Sequence, residues 1–452
     1  QIQKERGGSM NEEERRRLEE RRKRQKMRAI QRRKQVLRQK IIIGGMVFLA
    51  AVIVIFSSVI KANHKKQEAE AAAKAAQEKK AEEEAKRLKE ENTLHMVAVG
   101  DNLYHDSILE EGKGAEESED WNFDFLYANV KKEIENADLA AVNQESPFVN
   151  NHDEAAGYPE FATPLEGGEA LVKAGFDIVT QATNHAFDKG KAGIINSVSF
   201  WKNKHAAVTL LGIHQDQEDQ DKNRVQVIEE KNFKIAMMNY TFTLNESAQM
   251  SESESYCVDL YEEETVKQDV AKAKTMADIV IVFLHTGTED VTEVDEETEE
   301  RMDFLAEQGV DIAICSHPHV VRAFGMKERP DGNSMLVYYS LGNFVSTQEA
   351  IPELLEGMAD FTLEKDPETG KVSVTDYSLV PLVMHYDKGK TNCSVYKLSD
   401  YTEDMAKNHG IHEYSQDTFN LESIKEYFEP LLTPRSFKTE SQKDNSSSEE
   451  TT

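Results

Sequence analysis

The chain has 452 residues, 30% of them charged, and its 83 acidic against 54 basic side chains leave a net charge of −29. The charge is unevenly placed: residues 1–40 hold 16 Lys and Arg against 6 Glu, a net of +10, so residues 41–452 sum to −39. An acidic body of that size repels nucleic-acid phosphates, which argues against nucleic acid as a partner. Cys257, Cys315 and Cys393 are odd in number and widely spaced, so neither a disulfide framework nor a cysteine zinc site follows.

After the basic segment 1–40 come twenty uncharged residues, Ile41 to Ile60. As a helix they measure about 30 Å, enough to cross a bilayer. The basic flank predicts a cytoplasmic N-terminus, partly helical and otherwise unstructured, and a single-pass signal anchor that puts the acidic body outside the cell membrane. An exported domain with no need of disulfides fits a bacterial surface. Residues 61–92 are dominated by Ala, Glu and Lys, without Gly or Pro, and predict a charged helical stalk.

A folded domain is expected over 93–436. Short apolar runs predict strands at Leu94–Val99, Ala137–Val142, Phe176–Ala182, Ile235–Tyr240, Ile279–Leu284, Ile312–Cys315 and Leu336–Tyr339. Helical stretches fall between them, including Glu262–Met276 and Glu297–Gln308, which makes the class α/β. Phe361–Glu364 and Val372–Leu379 flank a turn-rich loop and predict a hairpin completing a sheet edge. Residues 437–452 carry no apolar residue after Phe437 and predict a disordered tail.

Polar signatures follow several of these strands: Val99-Gly100-Asp101-Asn102, Asn143-Gln144-Glu145, Thr183-Asn184-His185, His285-Thr286-Gly287 and Ser316-His317-Pro318-His319. Sites in layered α/β proteins assemble at the carboxyl ends of strands. Carboxylates, an amide and imidazoles in that setting are the ingredients of a two-metal hydrolytic centre. Asp101 can hold one divalent ion, Glu145 can bridge two, and Asn184 offers a neutral amide oxygen. His185 is suited to stabilising an oxyanion or protonating a leaving group. His285 ends its strand, and an extended backbone would turn His317 and His319 to one side. Singly, each signature reads as a turn, a cap or a satisfied loop. Their recurrence at strand ends is what points to a shared site. His105 and Asp106 lie one turn beyond Asp101, within reach of it, and the loop Tyr158–Pro164 could wall a cleft or be a structural turn.

The segments AVGDNLYHDSI (98–108), ADLAAVNQESPF (137–148), FDIVTQATNHAFDKG (176–190), VIVFLHTGTED (280–290), DIAICSHPHVV (311–321) and YYSLGNFV (338–345) occur in an order that resembles the CapA family of capsule and poly-γ-glutamate synthesis proteins. The resemblance spans about Leu94 to Val345. It implies a calcineurin-like metallophosphatase sandwich, two β-sheets flanked by helices, with up to two divalent ions (Mn, Fe or Zn). It also implies Asp101, Glu145, Asn184, His285, His317 and His319 near metal and His185 beside substrate as the catalytic group; Asn102, His105 and Asn343 are expected around them, at substrate or behind the ligands. Thr286, Ser316, Gln144 and Thr183 depart from the family's usual residues and bear on substrate fit. The chain has no nucleotide-activating loop, so capsule synthase and transport subunits are the partners implied, with an anionic polymer such as poly-γ-glutamate. Two roles remain open: a metal-dependent hydrolase, and a non-catalytic metal-assisted module that binds polymer.

Overall fold

The computed structural model describes residues 11–113 and 121–439, and it divides into two compact units at Arg87/Leu88. The described residues of the first belong, from Glu12 on, to one helix that runs unbroken over Glu12–Glu91 with no residue buried. The basic segment is therefore helical from Glu12 onward, and residues 1–10 of it lie outside the described residues. Ion pairs one turn apart, such as Lys66–Glu70 at 3.8 Å and Lys74–Glu78 at 3.6 Å, line the part beyond the apolar run. By length and composition this helix could cross a membrane.

In the second unit the strands are β1 (Thr93–Asn102), β2 (Leu139–Gln144), β3 (Phe148–Val149), β4 (Thr163–Pro164), β5 (Ile178–Thr180) and β6 (Thr209–Leu211). Then follow β7 (Gln226–Glu230), β8 (Phe233–Thr241), β9 (Ile279–His285), β10 (Ile312–Ser316), β11 (Phe324–Glu328) and β12 (Ser334–Tyr338). The last are β13 (Asn343–Val345), β14 (Leu355–Lys365), β15 (Val372–Asp387), β16 (Thr391–Lys397) and β17 (Arg435–Phe437). All seven strands expected from the apolar runs are present.

Two sheets result. The first has the order β16-β15-β14-β1-β2-β5-β6 with β13 also on β1, and the second β17-β11-β12-β10-β9-β8-β7. Strand β9 shows why they form layers. Its Ile279, Ile281 and Phe283 join a core that also takes Met96, Ala98 and Val142 from the first sheet. Its Val280, Val282 and Leu284 pack outward with Val266 and Val270 of helix Glu263–Met276 and with Met302 and Leu305 of helix Glu296–Gln308. A strand buried on both faces needs a continuous apolar run, which is how this one reads in the sequence.

Two expectations for the C-terminal part change. The hairpin is not confined to an edge: β14 pairs antiparallel with β1, and β16 takes the outer position. Its nearly unbroken burial from Leu355 to Ala359 is what allows β14 that inner place. The expected tail begins too early, because Phe437 belongs to β17, which pairs with β11, and its ring packs 4.9 Å from that of Tyr339. Residues 440–452 of the expected tail lie outside the described residues.

Candidate metal centre

Strands β1 and β2 are parallel in the first sheet, as β9 and β10 are in the second, and their carboxyl ends meet. The register of β1 shifts on either side of Asp101, whose N–H donates to the Gly342 carbonyl at 3.1 Å. Only glycine fits before it, since a Cβ on Gly100 would collide with the Gly342 carbonyl oxygen. This kink aims the Asp101 carboxylate between the sheets.

Asp101 is fully buried. Its Oδ1 accepts from Asn143 Nδ2 at 2.7 Å, and its Oδ2 accepts from the His317 backbone N–H at 3.1 Å and lies 3.3 Å from His319 Nδ1. Burial works against the charge, but His319, His285 and the Asn143 amide hold the Asp101 pKa below the usual carboxylate range. Glu145 is also fully buried, and neither of its side-chain oxygens has a hydrogen-bond partner. Around it, Glu145, His285 and His317 present ligand atoms within 4.8 Å of one another, and so do Asp101, Glu145 and His319. Asn184 Oδ1 lies 2.8 Å from His285 Nε2, which is itself 3.2 Å from His317 Nδ1. Burying a carboxylate such as Glu145 with neither oxygen hydrogen-bonded is costly, whereas divalent cations bound by carboxylate, amide and imidazole would satisfy it. The donor set fits metal.

The His-Pro-His segment is not extended. His317 and His319 both adopt left-handed backbone angles, with φ of 101° and 58°. This turn, not strand alternation, directs the rings: His317 toward His285, and His319 toward Asp101 and the Asn343 Oδ1, 2.9 Å from its Nδ1. Burial disfavours the His319 cation, but Glu145 and Asp101 push its pKa up to about 10. Burial and the neighbouring His285 and His319 push His317 well below the usual histidine value.

His185 lies beside this group with Nδ1 2.6 Å from Asp188 Oδ2 and its ring edge-on to Phe161 at 4.8 Å. Although burial opposes it, Asp188 and Glu145 raise the His185 pKa. Asn343 holds His319 with its oxygen while its Nδ2 donates to Gln348 Oε1 and the Glu353 carbonyl at 2.7 and 2.9 Å. Asn102 is spent elsewhere: its Nδ2 donates to Gln144 Oε1 at 2.7 Å and its Oδ1 accepts from the Tyr127 hydroxyl at 2.8 Å. His105 accepts from the Thr347 N–H at 3.3 Å and packs on Phe161, and burial lowers its pKa to about 3. Asp106, one residue on, accepts from the Gly157 N–H at 2.9 Å and ties down the 155–164 loop.

The four unusual residues all have local partners. Ser316 Oγ lies 2.9 Å from His285 Nδ1, Thr286 Oγ1 accepts from Arg301 at 3.0 Å, Gln144 braces Asn102, and Thr183 Oγ1 donates to the Glu145 carbonyl. Sequence reasoning gave no role to Asn143, Asp188 or Asn245. Asp188 carried a signal, since it follows His185 by one helical turn. Asn245, 2.9 Å from His185 through its Nδ2, carried none. Glu356 was also missed; burial and the charge of Asp101 raise its pKa well above the ordinary value.

The family described as bacterial capsule synthesis protein PGA_cap matches residues 95–348. Two relatives are 24% identical to the chain: the capsule biosynthesis protein CapA of Bacillus anthracis over 268 residues, and the PGA biosynthesis protein CapA of Bacillus subtilis over 254. These alignments cover 58% and 56% of this chain but only 61% and 64% of those relatives. Among solved structures, a novel phosphatase from Mycoplasma pneumoniae aligns at 16% identity and a TM-score of 0.39, over 65% of this chain and 94% of the other. The NAD nucleotidase of Haemophilus influenzae aligns at 11% identity and a TM-score of 0.41, over 75% and 67%. Both are distant resemblances. The family match takes in more than half of the 452 residues, and the chain belongs to the bacterial capsule synthesis protein family.

Proposed function

We propose that the chain is a membrane-anchored protein of capsule or poly-γ-glutamate synthesis whose extracellular domain carries a metal-dependent, phosphoesterase-type hydrolytic site. The observation that carries this reading is Glu145, a fully buried carboxylate with both oxygens unpartnered between two sets of ligand atoms. Asp101, Glu145 and His319 would hold one divalent ion, and Glu145, His285, His317 and Asn184 a second. Such ions supply Lewis-acid polarisation of a phosphoryl oxygen and offset the charge that develops there. With Nδ1 engaged by Asp188, His185 holds its transferable proton on Nε2 and gives it to the leaving-group oxygen. The Phe161 ring edge limits how far that imidazole can rotate. The apolar run Ile41–Ile60 would anchor the chain, with the basic segment in the cytoplasm. Synthase and transport subunits of the capsule machinery are the partners this reading requires.

A second reading, a non-catalytic module whose bound metals retain the polymer's carboxylates, draws support from the net charge of −29. A bare polyanion would be repelled from such a surface and would need bridging cations. The detergent-solubilised chain, stripped of metal and reloaded with Mn, Fe(II) or Zn, separates the two. Metal-dependent turnover of bis(p-nitrophenyl) phosphate that Asp101→Ala and His285→Ala abolish supports hydrolysis. Metal-dependent retention of poly-γ-glutamate without turnover supports the module.

A further inference from the structure

We propose that Asn245 is a positioning residue that fixes which end of the Asn184 amide faces the metal ligands; this role rests on the metal-centre reading above. An Asn side chain is nearly symmetrical in shape but opposite in polarity at its two ends. A cation needs the oxygen, and an inverted amide would present N–H donors to it. Nothing in the shape of Asn184 selects between the two orientations, so a neighbour must.

Asn245 provides that selection through a polar relay. It begins at Asp188, whose carboxylate is fully buried and whose Oδ2 accepts the His185 Nδ1 proton at 2.6 Å. The other oxygen, Oδ1, accepts from Asn245 Nδ2 at 3.5 Å. A carboxylate in that place favours the donor end of the Asn245 amide and repels its oxygen. The Asn245 oxygen is thereby turned the other way, where it accepts from Asn184 Nδ2 at 3.1 Å. Asn184 Oδ1 is left directed at the centre, 2.8 Å from His285 Nε2. The main chain locks the pair, since the Asn245 N–H donates to the Asn184 carbonyl at 3.1 Å. The Asn245 carbonyl is held in turn by Gln249 Nε2 at 2.8 Å and the Ala248 N–H at 2.9 Å. One residue from the loop after β8 thus couples the orientation of a metal-facing amide to the Asp188–His185 pair.

The test is Mn(II) titration of the full chain in detergent, followed by calorimetry. Residues that orient a ligand from behind typically change metal affinity by 10- to 100-fold. Asn245→Ala is expected to weaken the affinity by about tenfold or more. In an Asn184→Ala background the same change should cost nothing further, because there is no amide left to orient. Asp188→Asn, which removes the charge that turns the Asn245 amide, should weaken binding in the same direction; it also serves if the alanine variant does not fold. The proposal is overturned if Asn245→Ala binds as wild type, if its loss recurs in the Asn184→Ala background, or if Asp188→Asn binds as wild type. A wild-type chain that takes up no Mn(II) is a separate result, which removes the metal centre itself and this role with it.

Discussion

Glu145 Oε1 lies 3.5 Å from His285 Nε2, yet no hydrogen bond joins them, and both side chains are shut off from solvent. Without a divalent cation, that carboxyl group lies buried with no hydrogen-bond partner for either oxygen, which destabilises the fold. Glu145→Gln is therefore expected to melt higher than wild type in the presence of a chelator. With divalent metal the order reverses. A ligand at 100 times its Kd stabilises the protein that binds it by about 2.7 kcal/mol, and the variant gains little. Thermal melts with and without metal check this crossing.

Gly100 sets the Asp101 kink, and a Cβ there would run into the Gly342 carbonyl. Gly100→Ala is expected to cost about 1–3 kcal/mol, the range for overpacking a close-fitted interior. It should also weaken metal binding, because the shift falls on the Asp101 backbone. Urea denaturation measures the first effect and metal titration the second. A variant with wild-type stability would show that the β1–β13 contact opens easily.

The Glu353 carboxyl is pushed up to about 7, first by burial and then by the facing Asp290. Its ordinary value is about 4.3 in an unfolded chain, so the native state binds the extra proton between those two pH values. The stabilisation is complete below about pH 4.3 and is lost as pH rises through 7. Glu353→Gln removes this titration. The variant should equal wild type at pH 4 and melt a few degrees higher at pH 8, as melting curves across that range would show. A difference that grows toward acid pH would reverse the assignment.

The sequence was most legible where burial acts on both faces of a strand. The apolar runs of β9 and β10 marked their positions, and the polar residues just past them marked the end of the sheet where the ligands gather. It was less legible where a turn decides direction. His317 and His319 read as extended, but their backbone is left-handed and sets them against Asn343 and against Asp101, 216 residues away in the chain. The placement of β14 beside β1 was hidden for the same reason: pairing partners more than 250 residues apart leave no local trace. Asn245 shows the limit most clearly. Its neighbours His185 and Asp188 are some 60 residues away, and nothing in its own segment sets it apart.

The apolar run also makes a topological prediction. With Ile41–Ile60 as the anchor, a cysteine placed before residue 40 should resist a membrane-impermeant thiol reagent on intact cells. One placed in the exposed turn at Gly370 should react. The opposite labelling pattern would invert the orientation, and labelling of neither would put the domain inside.

Full-length protein purified without chelators and analysed for Mn, Fe and Zn tests the ligand assignment directly, with Glu145→Ala as the comparison. The expected result is more than one equivalent of divalent metal in wild type and near-complete loss in the variant, since the same carboxylate serves both ligand sets. Less than half an equivalent in wild type, or equal metal in the two proteins, would contradict it.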